Sequence, residues 1–145
     1  MSLRDRLAKR QPPTASYALR VDDDTAARAE LAAARAAGDE DRIVAAQTAI
    51  EACYEQVTLT VLPPLDMEAL IAAHPPPEGN REEKIFNSVT FTPALFAACV
   101  DSDVTEEDWA QYIVTGAMTI GEVTELFNRI WDLNYRGPDP SVPKD

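Results

Sequence analysis

The chain has little of what most catalytic sites are built from. It holds one histidine, two cysteines and five glycines in 145 residues. A single His74 rules out a His-rich metal site, and a Ser/His or Cys/His dyad would have to use this residue, at the end of a short helical pattern beside Pro75-Pro76-Pro77. There a helix-terminal histidine is a simpler reading than a general base. Cys53 and Cys99 are far apart in sequence and sit in helical patterns. They read as small buried hydrophobes, neither a disulfide nor a metal pair. The glycines form no GxGxxG or GxxxxGK[ST] loop, and HExxH, CxxC and GxSxG are also missing. Catalytic, cofactor and metal residues are therefore all expected to be none.

Positive charge is also scarce. Thirteen Lys and Arg face twenty-five Asp and Glu, a net charge of -12. Binding to a phosphate backbone requires cations that displace its counterions, so neither nucleic acid nor an anionic membrane is an expected partner. The acidity reads first as solubility and second as a field that steers a basic partner. No apolar run approaches the roughly 18 residues a membrane span needs. MSLRDRLAKRQPP has no apolar run behind its charges and is not a secretion signal. The expected location is the cytoplasm.

What is present points to an α+β fold that is predominantly α-helical. Residues 1–13 read as a flexible basic arm, set against an acidic body on which, or on a partner, it could dock. Residues 14–136 read as one domain. Thr14–Val21 alternates Tyr17, Leu19 and Val21 with small or polar residues, a strand with one buried face. Asp22-Asp23-Asp24 ends it and places carboxylates near a helix start. Thr25–Ala37 is alanine-rich, Gly38-Asp39 breaks it, and Asp41–Tyr54 resumes a helix with Ile43, Ala46, Ile50 and Cys53/Tyr54 in register. Gln56–Leu62 is a second strand, ended by Pro63-Pro64. Residues 14–62 thus form a small two-stranded β element with an inserted α-hairpin. Two strands are marginal alone, so a helix must cover them or a partner must add a third. An unpaired edge at Gln56–Leu62 would favour a homo-oligomer.

Residues 64–136 read as a helical bundle. Leu65–His74 puts Met67, Leu70 and Ile71 inward, and a loop from Pro75 to Asn80 and a short turn or helix at Arg81–Asn87 follow. Thr92-Pro93 has the form of a helix start, N-cap then Pro at the first position, running to about Val100. Asp101 and Asp103 lead into Thr105-Glu106-Glu107-Asp108. A calcium loop would need glycine at its sixth position and glutamate at its twelfth, and neither is there. These acids belong to a helix cap. Thr119-Ile120-Gly121-Glu122 is a capping box that opens the longest pattern: Ile120, Val123, Leu126, Phe127, Ile130, Trp131 and Asn134. Residues 137–145 read as a disordered tail. The aromatic residues of this half form a core, a groove for a partner helix, or both. Phe96, Trp109, Tyr112, Phe127 and Trp131 are the partner-binding candidates, with Trp131 foremost.

Several segments resemble tail assembly chaperones of long-tailed actinobacterial phages and prophages. They are Cys53-Tyr54-Glu55-Gln56-Val57-Thr58-Leu59-Thr60, Leu62-Pro63-Pro64-Leu65-Asp66-Met67-Glu68-Ala69-Leu70, Ala73-His74-Pro75-Pro76, Phe91-Thr92-Pro93-Ala94-Leu95-Phe96-Ala97-Ala98-Cys99-Val100 and Thr119-Ile120-Gly121-Glu122-Val123. The resemblance covers about residues 15–135 and carries no catalytic residues. It implies a non-enzymatic protein that binds the tape measure protein, keeps it soluble, helps recruit tail tube subunits, and is absent from the mature particle. It also implies manufacture in two lengths by a frameshift, with a chain ending at Asp145 as the short form. Two other readings stay open: a structural tail terminator or adaptor, and an acidic regulatory protein-binding module.

Overall fold

A computed structural model describes residues 1–77 and 85–137. The expected end of the proline loop at Glu78–Asn80, most of the Arg81–Asn87 turn and the tail after Gly137 lie outside the described residues. Among those described there are seven helices and three strands, a helix-dominated α+β fold. The chain divides into two compact units, residues 16–57 and residues 1–15 with 58–145, where the sequence predicts one domain over 14–136. The strands are β1 (Ala15–Arg20), β2 (Tyr54–Leu59) and β3 (Val100–Asp101), in the order β1-β2-β3.

That third strand corrects the two-stranded element expected from the sequence. Val100 reads as the last apolar residue of a helix, but its backbone is extended (φ -97°, ψ 117°), a conformation that suits a β-branched side chain. Antiparallel pairing sets Leu59 opposite Val100 and Thr58 opposite Asp101. Pairing with β3 covers the second edge of β2 at Thr58 and Leu59, within the Gln56–Leu62 edge expected to be free.

In the smaller unit, α2 (Thr25–Ala37) and α3 (Glu40–Glu51) form the helical hairpin. Alanine drives helix formation and lets the two axes approach, so Ala34 and Ala46 are the residues buried in these helices. Gly38 ends α2 in the left-handed region at φ 65°, where a side chain would be strained. Asp39 then caps α3 by accepting the Arg42 amide, and Arg42 bridges back to Glu30 at 2.9 Å. The second helix stops at Glu51, short of the expected Tyr54. Val21 and Asp22 both donate backbone N–H groups to the Cys53 carbonyl, which draws that segment out of the helix, and Tyr54 starts β2. Cys53 is only half-buried.

Of the three consecutive aspartates, Asp23 accepts from the Thr25 amide and hydroxyl. The buried Asp24 accepts from Arg28 Nε at 2.6 Å and from the Tyr54 hydroxyl at 3.1 Å. The Arg28 guanidinium, seconded by Tyr54 and opposed by burial, holds the Asp24 carboxyl below its ordinary pKa. A depressed folded pKa stabilises the fold above the unfolded carboxylate value, and the contribution is lost as pH falls through the folded one. Asp24→Asn is therefore expected to flatten the acid limb of the smaller unit's stability, below the usual carboxylate range. Far-UV circular dichroism against pH checks this, and an unchanged acid limb would contradict it.

The larger unit is organised on α5 (Ser88–Cys99), in which Phe91 through Phe96 and Cys99 are all buried. A helix apolar on every side must be enclosed. Around it lie α4 (Pro64–Ala72), α6 (Glu106–Thr115) and α7 (Ile120–Arg136). The start of α5 departs from expectation. Asn87, not Thr92, is the N-cap, its side chain accepting from the Val89 amide at 3.1 Å, and Pro93 lies inside the helix. The earlier start brings Phe91 into the helix as a core residue. Both α6 and α7 open on capping boxes, Thr105/Asp108 and Thr119/Glu122, as their sequences predict. In α7, Leu126, Ile130 and Leu133 are buried, whereas Ile120 is exposed. Asn134, polar within the apolar pattern, accepts the Leu62 amide at 3.0 Å and donates to the Ile130 carbonyl at 2.8 Å. It secures the chain just after β2, where the prolines remove ladder donors. The expected loose arm carries α1 (Leu3–Ala8), closed by a Ser2/Asp5 capping box.

Candidate functional site

His74, the one imidazole, follows α4 and is half-buried. Its Nδ1 lies 2.9 Å from the Thr90 hydroxyl, and its ring meets the edge of Phe91 at 6.1 Å. This is a packing position with one hydrogen bond. Cys99 is buried, and burial pushes its thiol pKa up, against the weaker effect of the Asn134 amide, so it is a poor nucleophile. Among the described residues there is no group of three or more His, Cys, Asp or Glu that could hold a metal ion, and no helix long and apolar enough to cross a membrane.

The aromatic residues fall into two sets. In the first, Phe96 meets Trp109 edge-on at 5.3 Å, and Trp109 meets Tyr112 at 6.1 Å. In the second, Phe91 stacks on Phe86 at 4.2 Å, Phe127 stacks on Trp131 at 5.6 Å, and Trp131 reaches Tyr135 at 4.5 Å. Two of the five partner-binding candidates are thereby corrected: Phe96 and Trp109 are core residues, fully enclosed against α5 and α6. They fill the interior and cannot touch a partner while the fold is intact. Tyr112 is exposed on α6, and Phe127 and Trp131 are half-buried on α7.

A separate concavity lies on the larger unit. A groove of about 570 Å³ opens between the first turns of α5, the outer face of α6 and the start of α7. Val89, Pro93, Ala110, Ile113, Val114 and Val123 give it an apolar lining, and Glu106 and Glu107 contribute carboxylates. Val89 is 77% and Val114 81% exposed, unusual for β-branched apolar side chains flanking one hollow. A smaller hollow of about 200 Å³ shares Ser88, Thr92 and Val123 with the groove and ends on Phe86 and Phe127. Apolar surface thus runs from Val114 to the second aromatic set.

Sequence reasoning named Val123 only as part of the apolar pattern of α7, and did not name Val89 or Val114. One signal was present: Ile113-Val114 places two β-branched residues side by side in α6, so they cannot both face the core that Trp109 occupies. The structure is that of a helix-rich α+β protein with an apolar-lined groove. No known protein family, curated protein or solved structure matches the chain.

Proposed function

We propose that this protein is a non-enzymatic assembly chaperone of the phage-tail type. It binds apolar helical stretches of the tape measure protein, keeps that long client soluble, and helps recruit tail tube subunits to it. The resemblance of residues 15–135 to such chaperones supports this reading. The observation that carries the binding mode is the groove flanked by exposed Val89 and Val114. Amphipathic helices dock by placing residues spaced three and four apart into such grooves, and Glu106 and Glu107 favour a client helix with basic flanks.

Co-expression with the tape measure protein of the same genome tests the reading. The client is expected in the soluble fraction with the wild-type chain. It should return to the pellet with Val114→Asp, a change at an exposed position that leaves the core intact. A client equally insoluble with and without the wild-type chain would sink the proposal.

A further inference from the structure

Among the described residues, α1 is the one helix or strand with no buried residue. Six residues are well below the roughly 12–15 that an isolated helix needs to hold in water. Its capping box secures one end, yet Leu3 is 71% and Leu7 51% exposed. At helical spacing these two leucines form one stripe. Arg4 borders it on one side and Arg6 on the other. The arm carries four of the chain's thirteen basic side chains against one acid, Asp5, and no ion pair joins those four cations to an acid among the described residues.

The groove between α5, α6 and α7 has the complementary character: an apolar lining and the carboxylates of Glu106 and Glu107. Every copy of the chain presents both halves of this match, and α1 does not bury itself on its own copy. We infer that α1 of one copy docks in the α5–α6–α7 groove of a second copy. Leu3 and Leu7 enter between Val89 and Val114, and the arginines meet Glu106 and Glu107. The net charge of -12 opposes association of the bodies, but at about 0.15 M salt this repulsion is screened beyond roughly 8 Å, whereas the contact pairs are not. The inference does not depend on the chaperone reading. If both hold, the arm occupies the groove until a client displaces it.

Sedimentation equilibrium of the purified full chain tests this without any client. The wild type is expected to associate reversibly in steps of 15.9 kDa. Leu7→Asp in the arm and Val114→Asp in the groove should each weaken association about tenfold or more, the scale of one buried aliphatic side chain. Both positions are exposed, so neither change disturbs the core. Mixing the two variants should restore association, since the intact arm of one meets the intact groove of the other. Arg4→Glu with Arg6→Glu should weaken it, and adding Glu106→Arg with Glu107→Arg should recover it. A chain that stays monomeric at all concentrations would overturn the inference. So would association that survives Leu7→Asp, or a mixture that stays dissociated.

Discussion

Phe91→Ala should remove about 3–5 kcal/mol of stability from the larger unit, the range for truncating an enclosed aromatic ring. Phe91 is fully buried and is the hub of the second aromatic set, in ring contact with His74, Phe86, Phe127 and Trp131. Those partners sit on α7 and on the segments flanking α5, so no single side chain can move in to fill the void. Native stabilities are about 5–15 kcal/mol, so such a loss brings the unit close to unfolding. Both tryptophans of the chain, Trp109 and Trp131, belong to the larger unit. Urea unfolding followed by tryptophan fluorescence therefore reports that unit, while the signal at 222 nm reports both. The fluorescence midpoint should fall sharply in Phe91→Ala. A shift worth less than about 1 kcal/mol would mean that the aromatic set is loosely packed and that this account of the core is wrong.

Trp109→Ala is expected to be equally severe, about 3–5 kcal/mol, and Trp109→Phe far milder. The difference lies in the indole nitrogen. Trp109 is 2% exposed, yet its N–H has no hydrogen-bond partner among the described residues. An orphaned buried donor costs about 1–3 kcal/mol. Phenylalanine deletes that donor together with part of the ring, and the two effects oppose each other. A net change near 1 kcal/mol or less is expected for Trp109→Phe, measured by urea unfolding at 222 nm with Trp131 fluorescence as a second probe. If Trp109→Phe proved as damaging as Trp109→Ala, the nitrogen would have to be bonded in solution and the packing argument would fail.

Much of the helical half was legible because its signals are local. The capping boxes at Thr105 and Thr119 involve neighbours three residues apart, and the apolar period of α7 picked out Leu126 and Ile130 correctly. The α-hairpin followed from alanine content and Gly38 for the same reason. The misreadings share a cause, which is tertiary competition for a segment that could serve two roles. Thr92-Pro93 has the composition of a helix start, but Asn87 offers a cap one turn earlier, and burial of Phe91 favours it. Val100 could end a helix or pair with Leu59, and only the presence of β2 decides. Asn134 sat in an apolar period because it bonds the chain after β2, a partnership 72 residues distant. The groove as a whole could not be read, beyond the hint of the Ile113-Val114 pair. Its walls come from three helices, and Val89, Val114 and Val123 are unremarkable in each of them taken alone.

Pro93 bears on the kind of partner that the groove can hold. In an α-helix the carbonyl of residue 89 would accept the amide of residue 93, and proline has none. Val89 and Pro93 both line the groove, so this missing helical donor falls in the stretch of α5 that forms the wall. A ligand that places a guanidinium or side-chain amide there would complete the bond. The proline inside α5 thereby gives an otherwise apolar wall one position that favours a polar group on whatever binds there.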